Sequence, residues 1–188
     1  MFTGIGGQGI QLASKTLALA AMMEGRQTML LGSYGGAMRG GQTDASVVVA
    51  DKNLRSLPIL PSAWSAVVMH PDFWPNTSEK IRRGGVIMAN ADLVTEGLGR
   101  DDCQTFLFPA TATADGLGAL MSASMVLLSA YATVTGMVGT DSLIASMKEL
   151  VPPYRIEHVA SNEAALRAGS EITERLAAPI WEREVAVS

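Results

Sequence analysis

The sequence predicts an α/β protein of the Rossmann-like class, in which a mainly parallel sheet is covered by helices on both faces. Short apolar and β-branched runs alternate with segments whose apolar residues recur at helical intervals, which is typical of strands joined by crossover helices. The glycine-rich stretch GIGGQG, residues 4–9, separates the first strand from the first helix. A chain of 188 residues can bury a core of its own, so we expect residues 1–188 to form a single domain.

The elements of the first half follow from apolar spacing and turn residues. A short strand at residues 1–3 leads into the glycine turn. QGIQLASKTLALAAMMEG has helical apolar spacing, and Gly25 provides its C-terminal stop. QTMLLG is a strand that enters the loop GSYGGAMRGGQ, and TDASVVVAD is a β-branched strand closed by Asp51. LRSLPILP contains two prolines and is predicted to be irregular.

The second half continues the alternation. SAVVMH is a strand that ends at His70 and Pro71, DFWPNTSEKIRRGG holds a short helix, and GVIMAN and CQTFLFP are further strands. An uncharged segment, residues 116–140, is predicted to be a long helix, and TDSLIASMKEL a shorter one. After the breaker VPPY, a last helix is expected near residues 162–177.

Composition excludes several functions. A net charge of −4, a pI near 5.2 and the lack of a basic run argue against nucleic-acid binding. The single cysteine, Cys103, excludes an internal disulfide and any cysteine-ligated iron–sulfur or zinc cluster supplied by this chain alone. It also fits a reducing compartment, and no basic segment precedes an apolar run at the N-terminus, so a cytoplasmic location is expected.

The uncharged segment raises the question of a membrane span, since residues 116–140 are long enough to cross a bilayer. Glycine, serine and threonine dilute its apolar character, and flanking basic and aromatic residues are missing. A helix buried by its own domain and a partner subunit is therefore preferred. Apolar residues make up 48% of the chain and charged residues 17%, which indicates surface that meets a partner.

The glycine turn is suited to phosphate. Gly4, Gly6 and Gly9 fit the G-x-G-x-x-G pattern, in which the backbone and a helix N-terminus approach a phosphate group. Nicotinamide dinucleotides also require an acidic residue at the end of the second strand, and this strand ends in Leu31-Gly32-Ser33. A nicotinamide site is therefore not predicted. The alternative is that the glycines only permit a tight turn between strand and helix.

The second glycine loop carries a tyrosine and an arginine at the carboxyl end of a strand, where open α/β sheets bind their ligands. Its glycines allow positive φ and a close approach of ligand or backbone. Arg39 can pair with a phosphate or a carboxylate through its planar guanidinium group. The alternative is an arginine that is simply solvated.

Other candidates are weaker. His70 has no nucleophile or second ligand at a suggestive spacing, and His158 offers no metal pattern. Asp101 and Asp102 are expected to form a turn. No H-x-E, C-x-x-C, G-x-S-x-G or Walker-type motif is present, so the chain is expected to lack a catalytic set of its own.

Four quoted stretches carry a family resemblance: GIGGQGIQLASKTLALAAMMEG, YGGAMRGGQTDASVVVAD, LFPATATADGLGALMSASMVLLSAYA and SNEAALRAGSEI. Together they resemble the gamma subunit, or gamma domain, of the 2-oxoacid:ferredoxin oxidoreductases over nearly the whole chain. The two glycine motifs, in this order and at this separation, are more specific than either alone. Two departures stand out: the first strand is confined to residues 1–3, and Trp64 stands where the family often has an acidic residue.

The resemblance implies a complex that converts a 2-oxoacid and coenzyme A into acyl-CoA, carbon dioxide and two electrons. Thiamine diphosphate and magnesium would lie between alpha and beta subunits, and iron–sulfur clusters, in a ferredoxin-like delta subunit where present, would pass the electrons to ferredoxin. This chain would bind none of these cofactors alone, and would serve assembly and coenzyme A access. The residues predicted to contact the coenzyme are Gly4, Gly6, Gly7, Gln8, Gly9, Tyr34, Gly35, Arg39, Gly40 and Gly41.

Two other functions remain open from the residues alone. The chain could be a stand-alone Rossmann-like protein that binds a nucleotide, or a purely structural subunit without a ligand.

Overall fold

The computed structural model describes residues 1–34, 40–52, 54, 60–95 and 98–182. Within them, six strands form one sheet: β1 (Phe2–Ile5), β2 (Gln27–Tyr34), β3 (Gln42–Ala50), β4 (Ala63–Val68), β5 (Ile81–Asn90) and β6 (Gln104–Phe108). Their spatial order is β2-β3-β1-β4-β5-β6.

The sheet is mixed, although most of its strands point the same way. β1, β4, β5 and β6 pair in parallel, as the sequence predicts, whereas β3 is antiparallel to both of its neighbours, β1 and β2. Only residues 35–41 separate β2 from β3, too few for the crossover that parallel neighbours need. The N-terminus of β3 therefore lies at the same edge as the C-terminus of β1.

The described helices are α1 (Ile10–Met23), α2 (Trp74–Ser78), α3 (Ala110–Gly116), α4 (Ala123–Thr135), α5 (Thr140–Leu150) and α6 (His158–Gly169). Gly25 has φ of 83° just beyond α1 and ends it, as expected. The uncharged segment is not one helix. It comprises the end of α3, Gly118 with φ of 65°, a 3-10 turn at Leu120–Ser122, and then α4. The last helix also begins and ends earlier than residues 162–177.

The helices cover the two faces of the sheet unequally. On one face, α1 and α4 pack on the strands, and α5 and α6 pack on α1 and α4 in turn. All of α4 except Thr133 is buried, which makes it the central core helix. α6 crosses α4 so closely that a Cβ at Gly169 would collide with the carbonyl of Val126. No helix of the described residues is long and apolar enough to cross a membrane.

The opposite face is covered by the short α2 and by irregular segments rather than by long helices. Trp74 anchors this side: its ring lies in an apolar cluster with Val68 and Ile87, and its indole N–H donates to the carbonyl of Leu98 at 2.7 Å. The predicted helical cover is therefore present on both faces, but in the part of the chain that the structure describes the only α-helix on this face is the five-residue α2.

Candidate functional site

The two glycine motifs meet at the carboxyl edge of β1. The N–H of Gly6 donates to the carbonyl of Gly41 at 2.8 Å. The side-chain oxygen of Thr43, the second residue of β3, lies in ordinary contact range of the position a Cβ would take on Gly6. Because β3 runs against β1, the end of the second glycine loop is held beside the first turn. The structure thus brings Gly6 and Gly41 together although they lie far apart in the sequence. Neither glycine motif, considered by itself, predicts this contact.

The first turn has a backbone that only glycine accepts comfortably. Gly7 has φ of 103° and Gly9 has φ of 78°, both in the region that residues with a Cβ rarely adopt. Gly9 caps the N-terminus of α1, where its carbonyl accepts from the N–H of Ala13. No atom of the described residues lies within 4 Å of the position a Cβ would take on Gly7, so the described part of the chain leaves this side of the turn open. The first-turn N–H groups of α1 have no acceptor within the helix.

Gln8 folds back on the strand. Its Oε1 accepts from the N–H of Ile5 at 2.9 Å, while its own backbone N–H donates to the carbonyl of Ile5 at 3.1 Å. A Cβ on Gly4 would stand 2.7 Å from that Oε1, so Gly4 leaves the room that Gln8 needs. Gln8 and Gly4, which the sequence predicts to contact the coenzyme, therefore stabilise the turn through contacts with each other and with β1.

Of the second glycine motif, the structure describes the residues before position 35 and after position 39. Tyr34 is the last residue of β2, where its backbone pairs with Thr43, and Gly40 has φ of 87°. Gly41 supplies the carbonyl that Gly6 binds. Gly35 and Arg39 lie outside the described residues.

Gly32, the first glycine of the second motif, has a packing role that sequence reasoning missed. The Gln11 side chain crosses over β2 and β3, and its Nε2 donates to the carbonyl of Asp44 at 2.9 Å. A Cβ on Gly32 would collide with the Gln11 amide. Gly32 therefore allows the first turn of α1 to be tied to the sheet beside the two motifs.

Two polar groups near this edge were also missed. Ser124, on α4, is 2% exposed, and its Oγ lies 2.5 Å from the position a Cβ would take on Gly9. The second is a series of hydrogen bonds between side chains. Asn76 Nδ2 donates to Gln42 Oε1 at 3.2 Å, and Gln42 Nε2 donates to Asp44 Oδ2 at 2.5 Å. Sequence alone provided only a weak indication of Ser124, because a serine at the start of an uncharged helix is not distinctive.

The weaker candidates have structural roles. His70 Nδ1 accepts from the N–H of Asp72 at 3.3 Å and so caps the turn after β4. The hydrogen bond from the Arg100 guanidinium holds the pKa of Asp102 below its usual value, and this pair joins a loop to β5. Burial raises the pKa of the Cys103 thiol. Within the described residues, no three His, Cys, Asp or Glu side chains lie where they could hold a metal ion.

Fold and site together define an α/β protein with a Rossmann-like glycine turn at the start of α1, joined to a second glycine motif. The chain belongs to the pyruvate ferredoxin/flavodoxin oxidoreductase family, whose model matches residues 1–172. It is a gamma-type subunit of the 2-oxoacid:ferredoxin oxidoreductases, as its similarity to the following proteins shows.

Among curated proteins, the chain is 32% identical to the 2-oxoglutarate synthase subunit KorC of Methanothermobacter thermautotrophicus, over 90% of this chain and 91% of the relative. It is 28% identical to the common gamma subunit of the pyruvate/ketoisovalerate oxidoreductases of Thermococcus kodakarensis, over 79% and 83% of the two chains.

Among solved structures, the gamma subunit of a keto/oxoacid ferredoxin oxidoreductase from Geobacter sulfurreducens superimposes with a TM-score of 0.74 at 29% identity, covering 90% and 94% of the two chains. The 2-oxoglutarate:ferredoxin oxidoreductase of Magnetococcus marinus, solved with 2-oxoglutarate, coenzyme A and succinyl-CoA, has a TM-score of 0.79 at 18% identity. It shares the fold over 95% of this chain and 32% of its own.

Proposed function

We propose that this chain serves its complex by assembling with the thiamine-carrying subunits and by binding coenzyme A through the phosphate groups, without supplying a catalytic residue. The observation that carries the proposal is the hydrogen bond between Gly6 and Gly41, which joins the glycine turn of α1 to the arginine-bearing loop. One site can then combine a helix N-terminus with a guanidinium group.

The full reaction consumes a 2-oxoacid, coenzyme A and an oxidised acceptor, and yields acyl-CoA, carbon dioxide and reduced acceptor. Thiamine diphosphate with magnesium would supply the carbanion chemistry, and iron–sulfur clusters the electron path to ferredoxin, in the alpha, beta and delta subunits. The residues of this chain do not fit those groups: it has one cysteine, and its described carboxylates form no cluster of three. We therefore assign it no step of the redox chemistry.

Phosphate binding at the turn follows from backbone geometry. Positive φ at Gly7 and Gly9 keeps side chains away from the start of α1, and no described residue fills the space beside Gly7. Unpaired N–H groups and the positive end of the helix dipole favour an anion there. Arg39, four residues after Gly35 on the second loop, would add a charge-assisted contact. Gly40 and Gly41 would let this loop approach the ligand closely.

Assembly is supported by exposed apolar side chains beside this edge. The α3–α4 corner, defined here as residues 117–121, exposes Leu117, Leu120 and Met121 by 45%, 53% and 74%. The corner leads directly into α4 and Ser124. Coenzyme A has to reach a reaction centre in a partner, so the surface around its phosphate site is expected to face that partner. An apolar corner beside the site suits this contact.

The test is to purify the chain with the products of neighbouring coding sequences. We expect a coloured complex of equimolar chains whose 2-oxoacid oxidation depends on coenzyme A, and whose coenzyme affinity falls when residues of the glycine motifs are replaced. A soluble monomer that binds a nucleotide by itself would favour the stand-alone alternative. A complex whose coenzyme affinity ignores these motifs would favour a purely structural subunit.

A further inference from the structure

The sheet face opposite α1 carries a carboxylate that is only partly satisfied. Ala45 packs in the core with α1, so its neighbour Asp44 points to the other face. Asp44 Oδ2 accepts from Gln42 Nε2, but Oδ1 is buried and has no hydrogen-bond partner within the part of the chain that the structure describes. A buried acceptor without a donor costs free energy, and a charged one costs more than a neutral one. The carboxylate therefore needs a donor that these residues do not supply.

A second unpaired polar atom lies on the strand beside it. Thr3, on β1, is directly opposite Asp44 in the antiparallel register, so the two side chains share a face of the sheet. Thr3 is fully buried, and its Oγ1 also has no partner among the described residues. Because the two atoms belong to facing residues, one group bound at this place explains both more simply than two separate packing defects.

Asp44 lines a groove of about 180 Å³, called the Asp44 groove here, whose lining includes Leu31, Leu60 and Lys80. Leu31 is 43% exposed, so the groove borders the surface of the chain. A helix is about 10 Å wide, so this volume suits one extended side chain rather than a whole element. Apolar walls beside a carboxylate match lysine and arginine, which bury an aliphatic stem and carry a charged head.

We infer that the Asp44 groove receives a lysine or arginine side chain of a partner subunit, whose charged head donates to the Asp44 carboxylate. The χ2 torsion of aspartate is broad and two-fold, so a donor in the groove can pair with either oxygen while Gln42 holds the other. Lys80 of the chain itself lies beyond hydrogen-bonding distance of Asp44 Oδ1. Coenzyme A phosphates are disfavoured here by like charge. The inference rests on the proposed function for the existence of the complex, but not for the coenzyme site.

The test variant is Asp44→Asn, which keeps the shape of the side chain and an acceptor for Gln42 but removes the charge. The full chain should melt at the same or a higher temperature, because the variant removes an unpaired charged acceptor. Affinity for the partner subunits, measured by interferometry, should fall at least ten-fold, since the partner's basic group loses its counter-charge. Glu79→Gln removes the same charge from an exposed carboxylate beside Lys80, and should change neither quantity.

A lower melting temperature in Asp44→Asn would show that the carboxylate has a partner within its own chain, and would overturn the inference. Unchanged partner affinity, or an equal loss in Glu79→Gln, would overturn it while the complex and the proposed function stand. A raised KM for coenzyme A with unchanged assembly would place the coenzyme in the groove instead, and would also overturn it. Failure of the parent chain to assemble with these subunits would refute the proposed function itself, and the inference with it.

Discussion

The N–H of Gly6 donates to the carbonyl of Gly41 at 2.8 Å, and this bond fixes the relation between two glycine motifs that lie far apart in the sequence. It exists because β3 runs against β1, so the entry to β3 and the exit from β1 share one edge of the sheet. The glycine turn at the start of α1 and Gly41, at the end of the second glycine motif, are thereby held side by side.

The conformation of Gly9 predicts a large cost for substitution. Gly9→Ala places a Cβ 2.5 Å from Ser124 Oγ on a backbone with φ of 78°. Gly25→Ala is the matched control, since Gly25 has φ of 83° but no atom of the described residues within 4 Å of the position its Cβ would take. We expect Gly25→Ala to lower the free energy of unfolding by about 1–2 kcal/mol. Gly9→Ala should cost at least about 1 kcal/mol more, because it adds overpacking. Equal losses of unfolding free energy for the two variants in denaturant titrations would show that a Cβ on Gly9 does not clash with Ser124.

Stability at acidic pH should depend on Glu24. Burial alone would raise the pKa of this carboxyl, but hydrogen bonds from the N–H of Gly139, at 2.7 Å, from the Ser142 side chain and from the Arg26 guanidinium, at 2.8 Å, hold the pKa below its ordinary value of 4.5. A lowered folded pKa gives stability that is present above pH 4.5 and is lost as pH falls through the folded value.

Glu24→Gln keeps an acceptor for Gly139 but removes the charge, so it should flatten the pH dependence of unfolding below pH 5. Glu171→Gln, at an exposed carboxylate, is the control. The measurement is the free energy of unfolding from pH 3 to pH 7. An unchanged acid slope in Glu24→Gln would contradict the assigned contacts.

The α3–α4 corner should matter for assembly. Met121 is 74% exposed, so Met121→Ser should leave the fold of the chain intact while it weakens binding to the partner subunits. Met22, which is 56% exposed at the far end of α1, gives the control Met22→Ser. Co-purification yield and size-exclusion profiles measure the effect. If Met121→Ser assembles as well as the parent and Met22→Ser does not, the partner contacts the opposite end of the chain.

The isolated chain should bind neither iron nor thiamine diphosphate and should have no decarboxylase activity. The reason is its single cysteine together with the lack of a carboxylate cluster among the described residues. Metal analysis and thiamine fluorescence after separation from the partners test this. Stoichiometric iron in the isolated chain would refute the division of labour proposed here.

Much of the fold could be predicted from the sequence, because glycine and proline mark most element boundaries. Gly25 ends α1 and Pro109 ends β6 as expected. The reversed β3 was missed because the length of the connection after Tyr34, rather than any residue in it, decides strand direction. The uncharged segment was read as one helix because apolar spacing continues through Gly118, whose positive φ breaks it.

The candidate site was predicted less completely. GIGGQG identified the turn, but the pattern does not tell which members contact a ligand: Gln8 bonds back to Ile5, and Gly4 makes room for it. Ser124 could not be found, because its closeness to Gly9 depends on how α4 packs beside α1. The roles of Gly35 and Arg39 remain predictions, since both lie outside the described residues.

The central claim is that the two glycine motifs bind coenzyme A, and the dependence of steady-state activity on coenzyme A in Arg39 variants of the complex tests it most directly. Arg39→Ala should raise the KM for coenzyme A by roughly ten- to hundred-fold, as expected for the loss of one arginine–phosphate contact. Arg39→Lys should recover only part of this loss, because lysine cannot make the bidentate contact. Thiamine content and native-gel mobility should stay unchanged. An unaltered KM together with a dissociating complex would contradict the account and would make the loop a subunit contact.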